Sequence, residues 1–189
     1  MSDIINTIDV VGDEAVFGSI LDRSITEIAD DMVETVGSNA FYGCGNLTTV
    51  NFPVVTSIGS SAFYNCKALA TANFPTVTSV DTSALRGCAA LTTVDLPMAT
   101  SISTYAFSGC SNLSALILRK TDAVCTMASI NAVNPTAIYN GVGYIYVPSA
   151  LVDSYKSASN WSNLAARFRA LEDYTVDGTT TGELDPTKI

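Results

Sequence analysis

The amino-acid sequence predicts an α/β solenoid: right-handed and β-rich, with short parallel strands joined by 3₁₀ or helical turns in 22-residue units, and a small helical C-terminal cap. Three observations carry this. An Ala-Phe pair recurs at Ala40-Phe41, Ala62-Phe63 and Ala106-Phe107, with Ala84-Leu85 between, each step being 22 residues. Three apolar columns keep the same phase: Cys44, Cys66, Cys88, Cys110; Leu47, Leu69, Leu91, Leu113; and Phe52, Phe74, Leu96, Leu118. Pro53, Pro75 and Pro97 follow the last column, and Ile58, Val80 and Ile102 complete the apolar set. A fixed period of this length is the mark of a repeat architecture.

Each element follows from the residues of one unit. Leu47-x-x-Val50-x-Phe52 alternates in its second half, as a short strand with one inward face does. Proline has no N–H to give to a ladder, so Pro53 ends that strand. Ser57-Ile58-Gly59 permits a second short extended piece. Ser61–Cys66 is too short for a stable helix and suits a tight helical or 3₁₀ turn. Gly43, Asn65, Gly87 and Gly109 share one turn position, where a left-handed backbone is expected. One unit cannot bury its own apolar edge, so the copies stack, with parallel strands about 4.8 Å apart.

The period fades at both ends. Ser24-Ile25-Thr26-Glu27-Ile28 aligns with Asn46–Val50, which leaves residues 1–23 as an acidic N-terminal cap and 24–119 as the repeats. Leu116-Ile117-Leu118 is the last regular strand, and Tyr144–Pro148 is one more rung displaced by 29 residues, with Asn131–Gly143 as a longer loop. Ala150-Leu151-x-x-Tyr155 and Trp161-x-x-Leu164-x-x-x-Phe168 have helical spacing, so 120–172 form a degenerate last rung and a helical cap. Residues 173–189 are Thr- and Gly-rich and are expected to be a flexible or extended tail.

Composition narrows function. Apolar residues make up 48% of the 189, enough for a sizeable core in one domain. No run reaches the roughly 18 apolar residues that a membrane-spanning helix needs, so no membrane insertion is expected. The first 17 residues carry Asp3, Asp9, Asp13 and Glu14 and lack a positive region ahead of an apolar run, so no signal peptide is read there; nor is an anchor. The net charge of −9 is uneven: residues 1–35 hold nine acidic groups against Arg23 alone, whereas in 36–118 Lys67 and Arg86 cancel Asp81 and Asp95. An acidic chain without a basic stripe repels a phosphate backbone, which argues against nucleic acid as a partner. There is no histidine, hence neither the usual general base nor the commonest metal ligand. No nucleophile elbow or phosphate- or dinucleotide-binding loop occurs. Asp13-Glu14 and Asp30-Asp31 lack a calcium-loop arrangement and read as solvated residues. No catalytic residue, metal or cofactor is therefore predicted, and the chain is not expected to be an enzyme.

Leu47–Pro53, Ile58-Gly59 and Ala62–Cys66 together resemble the BspA-like class of bacterial leucine-rich repeats, whose unit is an L-x-x-L-x-L-P strand, an I-G turn and A-F-x-x-C. The resemblance covers about residues 24–119 and implies a leucine-rich-repeat solenoid. The third unit departs, with Leu85 for Phe and Val80-Asp81 for Ile-Gly, which weakens packing there. Tyr144–Pro148 through Asn160-Trp161 looks like the terminal unit of such proteins in gut-dwelling bacteria and their phages. The family is linked to cell-surface adhesion and protein binding, and some members sit in phage structural modules. The resemblance also implies that Cys44, Cys66, Cys88 and Cys110 are small buried hydrophobes alongside Phe41, Phe63, Leu85 and Phe107. A stacked column would still put neighbouring thiols about 5 Å apart, near disulfide distance. Cys125 lies off register and is expected to be the exposed thiol.

What remains for function is surface. Residues flanking the inward position of each strand point outward, which gives Glu27, Thr49, Asn51, Thr71, Asn73, Thr93, Asp95 and Ile117, with Ala29 and Ala115, as a candidate binding face. Thr56, Thr78, Thr100 and Ser57, Ser79, Ser101 run on a second face. Such ladders either keep the protein soluble or offer a polar platform to a protein or glycan on a cell surface. The leading expectation is a non-catalytic binding or adhesion module at the cell or virion surface. A structural or host-recognition component of a phage particle is the alternative, and a carboxylate-dependent hydrolase a distant third. Oligomeric state is left open.

Overall fold

A computed structural model of the chain describes residues 25–172, with the backbone of two further short strands at 175–176 and 179–180. The expected acidic cap at 1–23 lies outside the described residues. Each rung contributes two short strands. In chain order these are β1 (Glu27–Ala29) and β2 (Thr35–Val36), β3 (Thr49–Asn51) and β4 (Ser57–Ile58), β5 (Thr71–Asn73) and β6 (Ser79–Val80), β7 (Thr93–Asp95) and β8 (Ser101–Ile102), and β9 (Ala115–Ile117) and β10 (Thr126–Met127). All pairing between rungs is parallel, and Thr49↔Thr71, Val50↔Ala72 and Asn51↔Asn73 reproduce the 22-residue register. The second sheet is continuous in the order β10-β8-β6-β4-β2. The first sheet is split: β1-β3-β5 form one ladder, and β7 belongs to another.

The turns form a third ladder. The N–H of Phe41 donates to Ala62 O at 2.7 Å, that of Phe63 to Ala84 O at 2.7 Å and that of Leu85 to Ala106 O at 2.9 Å. Gly43, Asn65, Gly87 and Gly109 all have φ between +58° and +79°, as their residue types foretold. A second left-handed column, Asn39, Ser61, Ser83 and Tyr105, lies four residues earlier in each rung, with φ between +56° and +62°. Its mixed residue types hid it. With the strand and turn groups satisfied between rungs, the side chains between them form the core. Phe41 and Phe63 stack at 5.0 Å with planes 6° apart, and Phe63 meets Phe74 at 5.7 Å. Each such ring, fully buried, contributes roughly 1.5–3 kcal/mol.

The cysteine column has a role beyond filling space. The thiols of Cys66, Cys88 and Cys110 donate to Phe41 O, Phe63 O and Leu85 O at 3.0–3.1 Å, tying each rung to its predecessor. Among the described residues no disulfide forms.

The C-terminal end corrects two expectations and refines a third. Asn131–Gly143 is the longer loop expected, but it opens on a short 3₁₀ turn. Ile130–Ala132 make a 3₁₀ turn that stacks on the fourth rung: Phe107 N–H donates to Ala132 O at 2.7 Å and Gly109 N–H to Pro135 O at 3.1 Å. The backbone rejoins the ladder at Gly143, where a Cβ would collide with the Ser114 carbonyl. From there β11 (Tyr144–Val147) pairs with β9 at the predicted 29-residue offset. Phe168 does not end a helix. The segment 161–167 is a kinked 3₁₀ stretch, and Phe168 opens β12 (Phe168–Ala170), which adds to β11 in parallel. Cys125 is buried, at 1% exposure, because Tyr155 and Trp161 close over it. In the expected tail, Thr175–Val176 and Thr179–Thr180 pair antiparallel; the rest of 173–189 lies outside the described residues.

Candidate functional site

The alternation of the first sheet sorts inward from outward residues. Val50, Val94 and Leu116 are buried, while Glu27, Thr71 and Asn73 are exposed and Thr49, Asn51, Thr93 and Asp95 half-buried. Asn73 Nδ2 donates to Asn51 Oδ1 at 2.6 Å, so two outward amides form a ladder across adjacent strands. Asp95 is held by Arg119, whose Nε and Nη2 reach its carboxylate at 2.7–3.0 Å. Expectation and structure part at the end of this face. Ile117 and Ala115 are buried, Ile117 against Leu171 and Tyr146, because the strands that follow β9 bring their own side chains over it.

Sequence reasoning missed the residues that take their place. Tyr144 and Tyr146 alternate with buried Ile145 and Val147 on β11 and meet edge-on at 6.3 Å. The Arg169 guanidinium lies 4.1 Å from the Tyr144 ring centre, with Arg167 at 5.9 Å. The signal was present as the Tyr-Ile-Tyr-Val alternation. The outward surface therefore runs from an acidic end at Glu27, through Thr and Asn, to an aromatic and cationic end.

The second face is largely consumed by the fold. Thr56, Thr78, Thr100 and Thr126 each donate a side-chain hydroxyl to a carbonyl of the preceding rung at 3.0–3.2 Å. That column ties rungs together, which leaves the first-sheet face as the better candidate.

Chemistry elsewhere is muted. Burial pushes the Cys125 thiol up to about 12. Hydrogen bonding with Cys110 and Cys66, followed by burial, raises that of Cys88. These are groups kept protonated, unlike an activated thiol. Among the described residues no three of Cys, Asp and Glu converge as a metal-ligand set, and no helix is long and apolar enough to cross a membrane.

Parallel two-strand rungs, hydrogen-bonded turns and a continuous Phe, Leu and Cys core define a leucine-rich-repeat solenoid. The chain belongs to the BspA-type leucine-rich-repeat family: the description "BspA type Leucine rich repeat region" matches residues 16–137 in six copies. Among solved structures it is similar to a leucine-rich-repeat protein of T. pallidum, at 25% identity and TM-score 0.50 over 65% of this chain and 52% of that one. It is also similar to a leucine-rich cell surface protein from Faecalibacterium prausnitzii, at 27% identity and TM-score 0.51 over 72% of this chain and 41% of that one. The chain thus spans about half or less of either relative. No curated protein matches it. Proteins of this family are interaction surfaces, usually without catalysis, and the second relative is described as a cell surface protein.

Proposed function

We propose that the chain is a non-catalytic binding module that engages a protein or glycan at a cell surface through its first-sheet face. The observation that carries this is the outward ladder Thr49, Asn51, Thr71 and Asn73, continued by the Asp95–Arg119 pair: polar groups in fixed register that the core does not use. A flat, hydrogen-bonding and weakly charged platform suits recognition by many small contacts more than by one deep anchor. Tyr144, Tyr146 and Arg169 supply the aromatic and guanidinium groups that most often anchor such surfaces. No feature of the geometry favours the virion-component or hydrolase readings over this one.

The test is an array of glycans and extracellular proteins probed with the full chain. An Asn51→Lys/Asn73→Lys double variant is expected to weaken the retained interaction at least about tenfold, since two buried lysines at an interface each cost more than 1 kcal/mol. Asp95 is left intact because its loss would strand Arg119. Undiminished binding by a variant with unchanged melting places the interface elsewhere and refutes the proposal.

A further inference from the structure

The turn edge carries a stack built from two columns. Tyr42 and Tyr64, one rung apart, lie face to face at 4.8 Å with parallel planes. In the next rung Arg86 replaces tyrosine, and its guanidinium carbon lies 5.6 Å from the Tyr64 ring centre. Its other neighbour is Tyr105, at 5.2 Å, which comes from the column four residues earlier. Arg86 is thus held between two phenol rings.

Three features separate this stack from ordinary surface. First, the chain has 18 acidic residues to nine basic ones, yet among the described residues Arg86 has no carboxylate partner, whereas Arg119 is fully paired. Second, Tyr105 completes the sandwich from a left-handed backbone position, φ +62°, where the other rungs place Asn39, Ser61 and Ser83. A bulky residue is uncommon in that conformation, and such strain concentrates at functional positions. Third, Tyr42 and Tyr64 lie face to face at the end of the stack, which turns their edges outward, and the ring edge is the positive side of its quadrupole. The two edges therefore reinforce the guanidinium in attracting an anion.

We propose that the Tyr64–Arg86–Tyr105 stack is a second binding site, separate from the first-sheet face, that takes the carboxylate of an acidic sugar such as a sialic acid or a hexuronate. The planar guanidinium accepts a carboxylate through two parallel N–H donors. The flanking phenol hydroxyls both donate and accept, as sugar hydroxyls require. The turn residues around it, Ser61, Asn65, Ser83 and Ser108, are uncharged. Exposed Lys67 and Asp81 of the same turns cancel, and the net single positive charge that remains matches a singly charged, hydroxyl-rich ligand better than a polyanion or an acidic peptide.

Calorimetric titration of the full chain with 3′-sialyllactose and a hyaluronan hexasaccharide tests this, with lactose, chitohexaose and triglutamate as controls. At least one acidic sugar is expected to bind and the controls are not. Arg86→Gln should weaken that binding at least about tenfold, the weight of a charge-assisted bond. Tyr105→Ser should weaken it several-fold while preserving the fold, since serine already occupies this backbone position at Ser61 and Ser83. Asn51→Lys/Asn73→Lys should leave it unchanged, so this site and the first-sheet face fail independently. The proposal is overturned if neither acidic sugar binds, if lactose or triglutamate binds as well as they do, or if both Arg86→Gln and Tyr105→Ser retain full affinity while folded.

Discussion

The repeats and the C-terminal cap solve one problem by opposite means. Between residues 25 and 118, apart from the unpaired step from β5 to β7, the rungs are held by one recurring set of bonds: strand pairs at a 22-residue offset, turn N–H groups to turn carbonyls, and thiols to the carbonyl 25 residues earlier. On the second sheet, no strand among the described residues follows β10 to meet its outward backbone groups. There, single side chains substitute for the missing strand. Trp161 Nε1 donates to Cys125 O at 2.6 Å, Cys125 N–H donates to the Tyr155 hydroxyl at 2.8 Å, and Asn160 Nδ2 donates to Met127 O at 2.8 Å. Tyr155, Trp161 and Phe168 pack on one another at 5.4–5.9 Å. Repetition suffices where both neighbours are copies. An open edge of unpaired donors and acceptors needs residues that occur once.

The harshest way to break the repeat side is Phe63→Asp. The substitution removes a ring stacked on Phe41 and Phe74 and leaves a carboxylate in a site of 0% exposure with no cation to pair it. Lost burial of roughly 1.5–3 kcal/mol and an unpaired buried charge together exceed about 5 kcal/mol, comparable to the whole stability of a domain. Far-ultraviolet circular dichroism should show the repeats unfolded at room temperature. A cooperative melt at the native temperature would mean that the stacked core does not hold the rungs.

The cap is more exposed to alkali than its size suggests. Burial raises Cys125 from 9.0 to about 12 and Tyr155 from 10.0 to about 12. Both groups are higher in the folded state, so the unfolded chain releases its protons first as pH rises. Their contribution is complete below about pH 9 and is lost between there and about pH 12. For Cys125 the loss is on the order of 3 kcal/mol by pH 11. Trp161, the sole tryptophan, sits in this cluster and reports on it by fluorescence. Its emission should shift to the red above pH 9, and Cys125→Ala should flatten the pH dependence of melting. The same slope in both proteins would remove Cys125 as the cause.

These contrasts match what the sequence made legible. The columns at Phe41, Cys44, Leu47 and Phe52 placed β3 through β8 and, apart from the unpaired step from β5 to β7, their register, because a residue type repeated in phase answers a geometric need repeated in phase. The outward Thr and Asn positions followed from strand alternation alone. Burial of Cys125, the strand at Phe168 and the covering of Ile117 did not, since each depends on contacts between residues that occur once and lie far apart in the chain. The Tyr64–Arg86–Tyr105 stack escaped for a related reason: its members come from two columns whose residue type changes from rung to rung.

The smallest effect lies at the one junction where the repeat falters. β5 pairs with β3 but not with β7, although β6 bridges both its neighbours on the second sheet. The inward residue of β5 is Ala72, half-buried, where Val50 and Val94 are buried at 0–1%. Beside it, Thr93 Oγ1 is buried with no partner among the described residues. The shorter side chain leaves the two halves of the first sheet without the packing that draws neighbouring strands into register. Ala72→Val restores the bulk found in the rungs on either side, in a backbone that already accommodates it there. Two added methyl groups should contribute about 1 kcal/mol once partial exposure is allowed for, a rise of roughly 2–4 °C in melting temperature. Slower amide exchange at Thr93 would show the ladder closing across the junction. A lower melting temperature would instead show the site already filled, making the break a property of the backbone and not of the missing methyls.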